Sequence, residues 1–139
     1  MKINPDEVYW NSTHTAYAVL VSPGYDAGEA TWNSSDNNRI AWDKRIVEFY
    51  VNCRGPNSET WRHACFDGDD EDSKHEPPKE HAKFCKILKT CGIDPKGVYF
   101  GGAIDLEIAW VKPSDKWQID EYDGAESIVI FNDSAWLEV

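Results

Sequence analysis

The residues with the clearest potential for chemistry are cysteines and histidines, because seven of the eight in the chain lie within positions 53–91. His63 and Cys65 are two positions apart, and His81 and Cys85 are four apart, which is one turn of a helix. Two imidazoles and two thiolates can bind zinc tetrahedrally. The sequence lacks the Cys-x-x-Cys pair of common zinc motifs, and cysteine also serves as a small buried apolar residue. We favour core packing over zinc and expect no other cofactor.

A pair of carboxylates, Asp105 and Glu107, lies on the polar side of a predicted strand, about 7 Å apart by strand geometry. Such a pair can act in general acid–base catalysis. A chain with 25 acidic residues places such pairs on its surface by chance. The sequence contains no nucleophile elbow, no glycine-rich phosphate loop and no metalloprotease helix. These observations favour a protein without catalytic activity.

Length and charge define the class of protein. The 139 residues are the usual size of one domain, so we expect a single domain over 1–139. Fourteen basic and 25 acidic residues give a net charge of −11, which repels nucleic acid and anionic membranes and attracts basic proteins. The sequence shows neither an apolar run of roughly 20 residues for a membrane span nor the apolar core of a signal peptide. We therefore expect a cytoplasmic protein with reduced cysteines.

Alternation of apolar and polar residues predicts β-strand over much of the chain. The order of elements predicts an α+β fold with a mostly antiparallel sheet of about six to eight strands and one main helix. The predicted strands cover residues 8–10, 17–22, 39–42, 45–53, 98–111, 116–122, 127–132 and 135–139.

The helix is predicted near residues 78–91. Five residues share one face at helical spacing, Pro78 suits the first turn and Gly92 the end. Before it, residues 67–72 carry five carboxylates in six positions and are followed by two prolines, which predicts an exposed acidic loop near 67–77. The shared face consists of His81, Phe84, Cys85, Leu88 and Cys91.

The final third of the chain predicts a binding surface. Residues 105–139 contain nine carboxylates and two lysines, a net charge of −7. The chain also has seven tryptophans, and tryptophan beside acidic residues is typical of interfaces with basic partners. We expect Trp42 and Trp110 in the core and Trp32, Trp117 and Trp136 on the surface. The predicted partner-binding residues are Asp105, Glu107, Trp117, Asp120, Glu121, Tyr122, Asp123 and Trp136, with Asp69 and Asp70 from the acidic loop.

In size, charge and aromatic content the chain is similar to the small acidic inhibitors of bacteria and phages, such as toxin-immunity proteins and anti-defence proteins of the anti-CRISPR or DNA-mimic kind. The resemblance implies a non-enzymatic protein that occludes a basic nuclease or nucleic-acid-binding partner without contacting nucleic acid or membrane itself. One alternative is a zinc-binding protein or small enzyme built on the cysteines and histidines between Cys53 and Cys91. The other is a structural or assembly subunit.

Overall fold

A computed structural model describes residues 3–24, 28–33, 38–53, 59–65, 79–100, 103 and 106–131. Short 3-10 turns lie at Pro5–Glu7 and Pro95–Gly97. The helices are α1 (Arg39–Trp42), α2 (Lys44–Asn52), α3 (Glu59–Cys65) and α4 (Lys79–Thr90). The strands are β1 (Tyr17–Val21), β2 (Glu107–Val111), β3 (Lys116–Tyr122) and β4 (Ala125–Phe131).

The strands form two separate antiparallel pairs. β1 pairs with β2, placing Tyr17 opposite Val111, and β3 pairs with β4 in a hairpin that places Tyr122 opposite Ala125. The predicted sheet of about six to eight strands is therefore wrong, because the described part of the chain contains four strands in two two-stranded sheets and four helices. The coarser prediction of α+β structure with antiparallel pairing agrees with the structure.

The largest error concerns residues 39–53, where alternation predicts two strands and the structure has α1 and α2. Asp43 caps α2, because its side chain accepts a hydrogen bond from the backbone N–H of Arg45. The buried residues Ile46, Val47 and Tyr50 follow helical spacing, whereas Phe49 is only half-buried. A further helix, α3, lies between the predicted strand at 45–53 and the predicted acidic loop near 67–77, where the sequence analysis gives no helix.

Helix α4 is confirmed. It runs over Lys79–Thr90 and buries His81, Phe84 and Leu88, as the periodicity predicts. Gly92 follows it with a φ of 80°, and the N–H of Ile93 donates to the carbonyl of Leu88 at 2.9 Å, which closes the helix. The predicted acidic loop at 67–77 and the first residue of the predicted helix, 78, lie outside the described residues.

The predicted strands at 17–22 and 116–122 are confirmed as β1 and β3, and most of 127–132 lies in β4. The predicted strand 8–10 forms only two isolated bridges. Of the predicted strand 98–111, Glu107–Val111 is β2, the described residues 98–100, 103 and 106 are not strand, and 101–102 and 104–105 lie outside the described residues. The predicted strand 135–139 lies outside the described residues. None of the helices described is long and apolar enough to cross a membrane.

The core is made by β1, all of whose residues are buried, and by the aromatic side chains of the helices. Trp61 is buried beside Tyr50 and Phe84, and its indole N–H donates to the carbonyl of Ala103 at 2.7 Å. Trp42 is buried, as expected. Trp110 was expected in the core and is 46% exposed, because its ring lies at the surface beside Tyr9.

Candidate functional site

The structure brings only part of the predicted partner-binding set together. Asp120, Glu121, Tyr122 and Asp123 are exposed and adjacent, at the end of β3 and in the turn that follows it. Glu107 is also exposed, but it begins β2 in the other sheet. Four of the predicted residues lie outside the described part of the chain, namely Asp69, Asp70, Asp105 and Trp136.

Trp117 corrects an expectation, because it was predicted on the surface and is 5% exposed. Its indole N–H donates to the hydroxyl of Tyr17 at 2.7 Å, which ties the β3–β4 hairpin to β1. It also lines a groove of about 840 Å³ with Trp10 and Phe131. Trp117 and Ile119, at odd-numbered positions of β3, face the core. The prediction failed because the sequence does not show which face of an isolated hairpin is covered by the rest of the chain.

A two-residue turn, Asp123 and Gly124, joins β3 to β4. Asp123 and Gly124 have φ angles of 50° and 88°, which is the left-handed backbone of a type I′ hairpin turn. The backbone N–H of Gly124 donates to Oε1 of Glu121. We call Asp120, Glu121, Tyr122 and Asp123 the acidic turn.

An exposed pair of aromatic rings lies beside the acidic turn. Trp32 is 44% exposed, as expected, and Tyr99 is 46% exposed. Their ring centroids are 5.6 Å apart with an interplanar angle of 30°. The indole N–H of Trp32 donates to Oε1 of Glu121 at 3.3 Å. We call Trp32, Tyr99 and Glu121 the Trp32 surface.

The position of Trp32 is fixed by the loop that carries it. A Cβ atom on Gly28 would lie 2.7 Å from Cδ1 of Trp32, so the ring sits where only glycine leaves room. The side-chain amide of Asn33 donates to the carbonyls of Glu29 and Tyr99 at 2.8 and 2.9 Å. Its oxygen accepts from the N–H of Tyr99 at 2.6 Å, so Asn33 holds the loop against Tyr99.

A buried carboxylate, Glu126, joins the same loop to β4. Oε1 accepts from the N–H of Ser22 at 3.0 Å. Oε2 accepts from the N–H groups of Glu29 and Thr31 at 3.1 and 2.8 Å and from the hydroxyl of Thr31 at 2.6 Å. In the sequence, Glu126 is one of the nine carboxylates of residues 105–139. Its place on the inward face of β4 with Ile128 was the signal that could have identified it.

Glu29 lies beside Glu126 and is only 2% exposed. Its Oε2 atom has no hydrogen-bond partner among the residues that the structure describes. Burial, and after it the charge of Glu126, raises the pKa of Glu29 well above its ordinary value. Four donors converge on Glu126, so the uncharged member of the pair is Glu29. Both carboxyl groups are shielded from solvent, so the pair is suited to holding the loop and not to acid–base catalysis on a substrate.

The zinc candidates are only partly assembled. His81 is buried, and its Nδ1 lies 2.8 Å from the carbonyl of Ala64, so this nitrogen carries the proton and donates it. Nε2 faces the sulfur of Cys85 at 3.4 Å. Burial raises the pKa of both Cys65 and Cys85, which keeps the thiols protonated.

His63, the fourth zinc candidate, is exposed at the end of α3. Among the residues that the structure describes, no three or more His, Cys, Asp or Glu side chains are arranged to hold a metal ion. The geometry therefore adds no support for zinc, which stays an untested alternative from the sequence.

Comparisons with protein families, curated proteins and solved structures found no match to this chain. Its function has to be inferred from the chemistry of its own residues. The Trp32 surface is the exposed arrangement in which aromatic rings, a carboxylate and a fixed backbone come together.

Proposed function

We propose that the protein is a non-enzymatic inhibitor that covers the basic, nucleic-acid-binding surface of a partner protein. The Trp32 surface is the centre of the contact with the partner. The other residues of the acidic turn, Asp120, Tyr122 and Asp123, lie at the edge of that contact. The observation that carries this proposal is the exposed pair of Trp32 and Tyr99, in which the indole N–H of Trp32 donates to the exposed carboxylate of Glu121. Toxin-immunity and anti-defence proteins are the two kinds of inhibitor that this description fits.

The aromatic pair supports the proposal through its exposure and its fixed position. Tryptophan and tyrosine dominate the energetic centres of protein interfaces because they bury large rigid areas. Gly28, Asn33 and Glu126 already hold the backbone that positions Trp32 and Tyr99. A partner therefore binds a surface that loses little conformational entropy on association.

Charge supports the choice of a basic partner. The chain has a net charge of −11, and neither Glu121 nor Asp123 forms a salt bridge with any residue in the described part of the chain. Carboxylates without internal cations attract a surface that normally binds phosphates and raise the rate of association. This function belongs in the cytoplasm, and the free thiols of all four cysteines suit a reducing compartment.

The test compares three immobilised forms of the protein as bait in its native cytosol: wild type, Trp32→Ala and Trp110→Ala. Trp110 is a matched control because it is equally exposed and lies beside Tyr9, and no carboxylate among the described residues bonds its indole. We expect wild type and Trp110→Ala to retain one basic protein that is released by raised salt, and Trp32→Ala to lose it.

The captured protein is then assayed for binding or cleavage of nucleic acid. Stoichiometric inhibition by wild type, and weaker inhibition by Trp32→Ala, supports the proposal. A captured protein that still binds nucleic acid in the complex contradicts inhibition. Retention that is unchanged in Trp32→Ala contradicts the assigned surface, and retention of other copies of the chain favours an assembly subunit instead.

A further inference from the structure

Within the described part of the chain, Trp42, Arg39, Glu7 and Asp43 form a set of indole, guanidinium and carboxylate groups. Cζ of Arg39 lies 4.7 Å from the centre of the Trp42 ring. Nη1 of the same arginine donates to Oε2 of Glu7 at 2.6 Å and to Oδ2 of Asp43 at 2.9 Å. The guanidinium is thus stacked on an aromatic ring while carboxylates fix its edge, which is a favourable geometry for arginine.

The Trp32 surface contains the same parts without the guanidinium. The Trp32 ring is exposed and its N–H bonds Glu121, so the carboxylate lies at the edge of the indole. Both hydrogen bonds to Glu121 use Oε1, and Oε2 accepts none from the residues that the structure describes. Tyr99 extends the aromatic area beside Trp32.

We propose that the Trp32 surface binds an arginine side chain of the partner, with the guanidinium stacked on Trp32 and hydrogen-bonded to Oε2 of Glu121. This inference rests on the proposed function, whose partner is a basic protein. Arginine is favoured over lysine because its planar guanidinium stacks on a ring and bonds a carboxylate at the same time. Arg39 and Arg45, whose side chains the structure describes, both bond Asp43.

The test measures the affinity of the full chain for two probes of equal charge, a hexa-arginine peptide and a hexalysine peptide, at low salt. The indole N–H signal of Trp32, assigned by its loss in Trp32→Phe, reports on the site by NMR. We expect hexa-arginine to bind about fivefold more tightly, the scale of one exposed cation–π contact plus one exposed ion pair. It shifts the Trp32 signal, and hexalysine shifts it less.

Two variants remove the site and one leaves it intact. Trp32→Ala and Glu121→Gln are expected to bring the arginine preference close to one, and Trp110→Ala to keep it. Trp32 and Glu121 are exposed, so both variants are expected to fold, and circular dichroism checks this.

Equal binding of the two peptides, or an arginine preference that survives Trp32→Ala, overturns the arginine site and leaves electrostatic attraction to a basic partner intact. Failure of both peptides to bind at low salt overturns the arginine site and also contradicts the proposed function, because a basic partner then has no attraction to this surface.

Discussion

Trp42 and Trp32 each lie near a carboxylate, and the two sites differ in whether a cation from the described part of the chain is present. Trp42 is buried under Arg39, and that arginine bonds Asp43. Trp32 is exposed, and its bonded carboxylate, Glu121, has no cation among the described residues. We call Trp42, Arg39 and Asp43 the paired set, and this set holds elements of the fold together. We call Trp32 and Glu121 the open set, and this set offers the same chemistry to another molecule. Similar residue types therefore serve stability in one place and binding in the other.

Asp43→Ala breaks the paired set and is expected to have the largest effect. The substitution removes the cap of α2 and two ion pairs from a carboxylate that is 1% exposed. We expect the free energy of unfolding to fall by about 3 kcal/mol, measured by urea denaturation. The matched change at the open set, Glu121→Ala, is expected to cost less than about 0.5 kcal/mol. Equal losses from the two substitutions would erase the distinction between the sets.

The paired set also predicts that the stability of the protein falls at acidic pH. Burial alone would raise the pKa of Asp43, but hydrogen bonds from Arg45 and Arg39 outweigh it and hold the pKa below its ordinary value of 3.8. Its stabilisation is therefore complete above that ordinary value and is lost as the pH falls through the lowered one. Asp43→Ala should show a correspondingly weaker loss of stability in acid.

Glu126→Ala tests whether the position of Trp32 in the open set depends on the buried hydrogen bonds that Glu126 accepts. The substitution leaves the N–H groups of Ser22, Glu29 and Thr31 without their acceptor. We expect a loss of about 2 kcal/mol in the free energy of unfolding. Hydrogen exchange at Thr31 should accelerate more than exchange in α4, which makes no such contact. Uniform acceleration across both regions would argue against a local tie.

Glu29→Gln tests whether burial of Glu29 beneath the open set makes the stability of the protein depend on pH. Below about pH 4.5 Glu29 is protonated in the folded and unfolded chain alike, and above it the unfolded chain releases the proton while the folded chain keeps it. Stability therefore falls as the pH rises towards the raised pKa of the folded state. Glu29→Gln should melt at a higher temperature than wild type at pH 8 and at the same temperature as wild type at pH 4. A constant difference between the two pH values would contradict the protonated state of Glu29.

Gly28→Ala is expected to lower the free energy of unfolding by about 1 kcal/mol, because the added methyl group displaces the Trp32 ring. The Trp32 indole N–H signal should move as its bond to Glu121 is lost. Gly24→Ala is the matched control, since a Cβ there meets nothing within 4 Å. An unmoved indole signal in Gly28→Ala would show that Gly28 does not set the ring position.

The sequence predicted the parts of the fold that depend on local signals. Helix α4 has its periodic face and Gly92 at its end, and the hairpin turn has Asp123 followed by Gly124. Residues 39–53 were misjudged because Val47 fits an apolar face at period two and at helical spacing alike, and Asp43 suits both a turn and a helix cap.

The candidate site was also predicted only where local signals identify it. Glu121 and the exposure of Trp32 followed from charge and residue type. Tyr99, Asn33 and Glu126 were missed, because Asn33 bonds a residue 66 positions away and Glu126 bonds one 104 positions away. Contacts of that separation leave no local pattern, and only the folded chain shows them.

The tie between Glu126 and Ser22 also has a consequence for the order of folding. Closing a loop of 104 residues is entropically costly, so contacts of this kind form late. During synthesis, Glu121 and Glu126 follow almost all of the residues that hold Trp32 in place. A nascent chain on the ribosome therefore has no complete binding surface, and recognition of a partner waits until residue 126 has been made and the two distant segments have met.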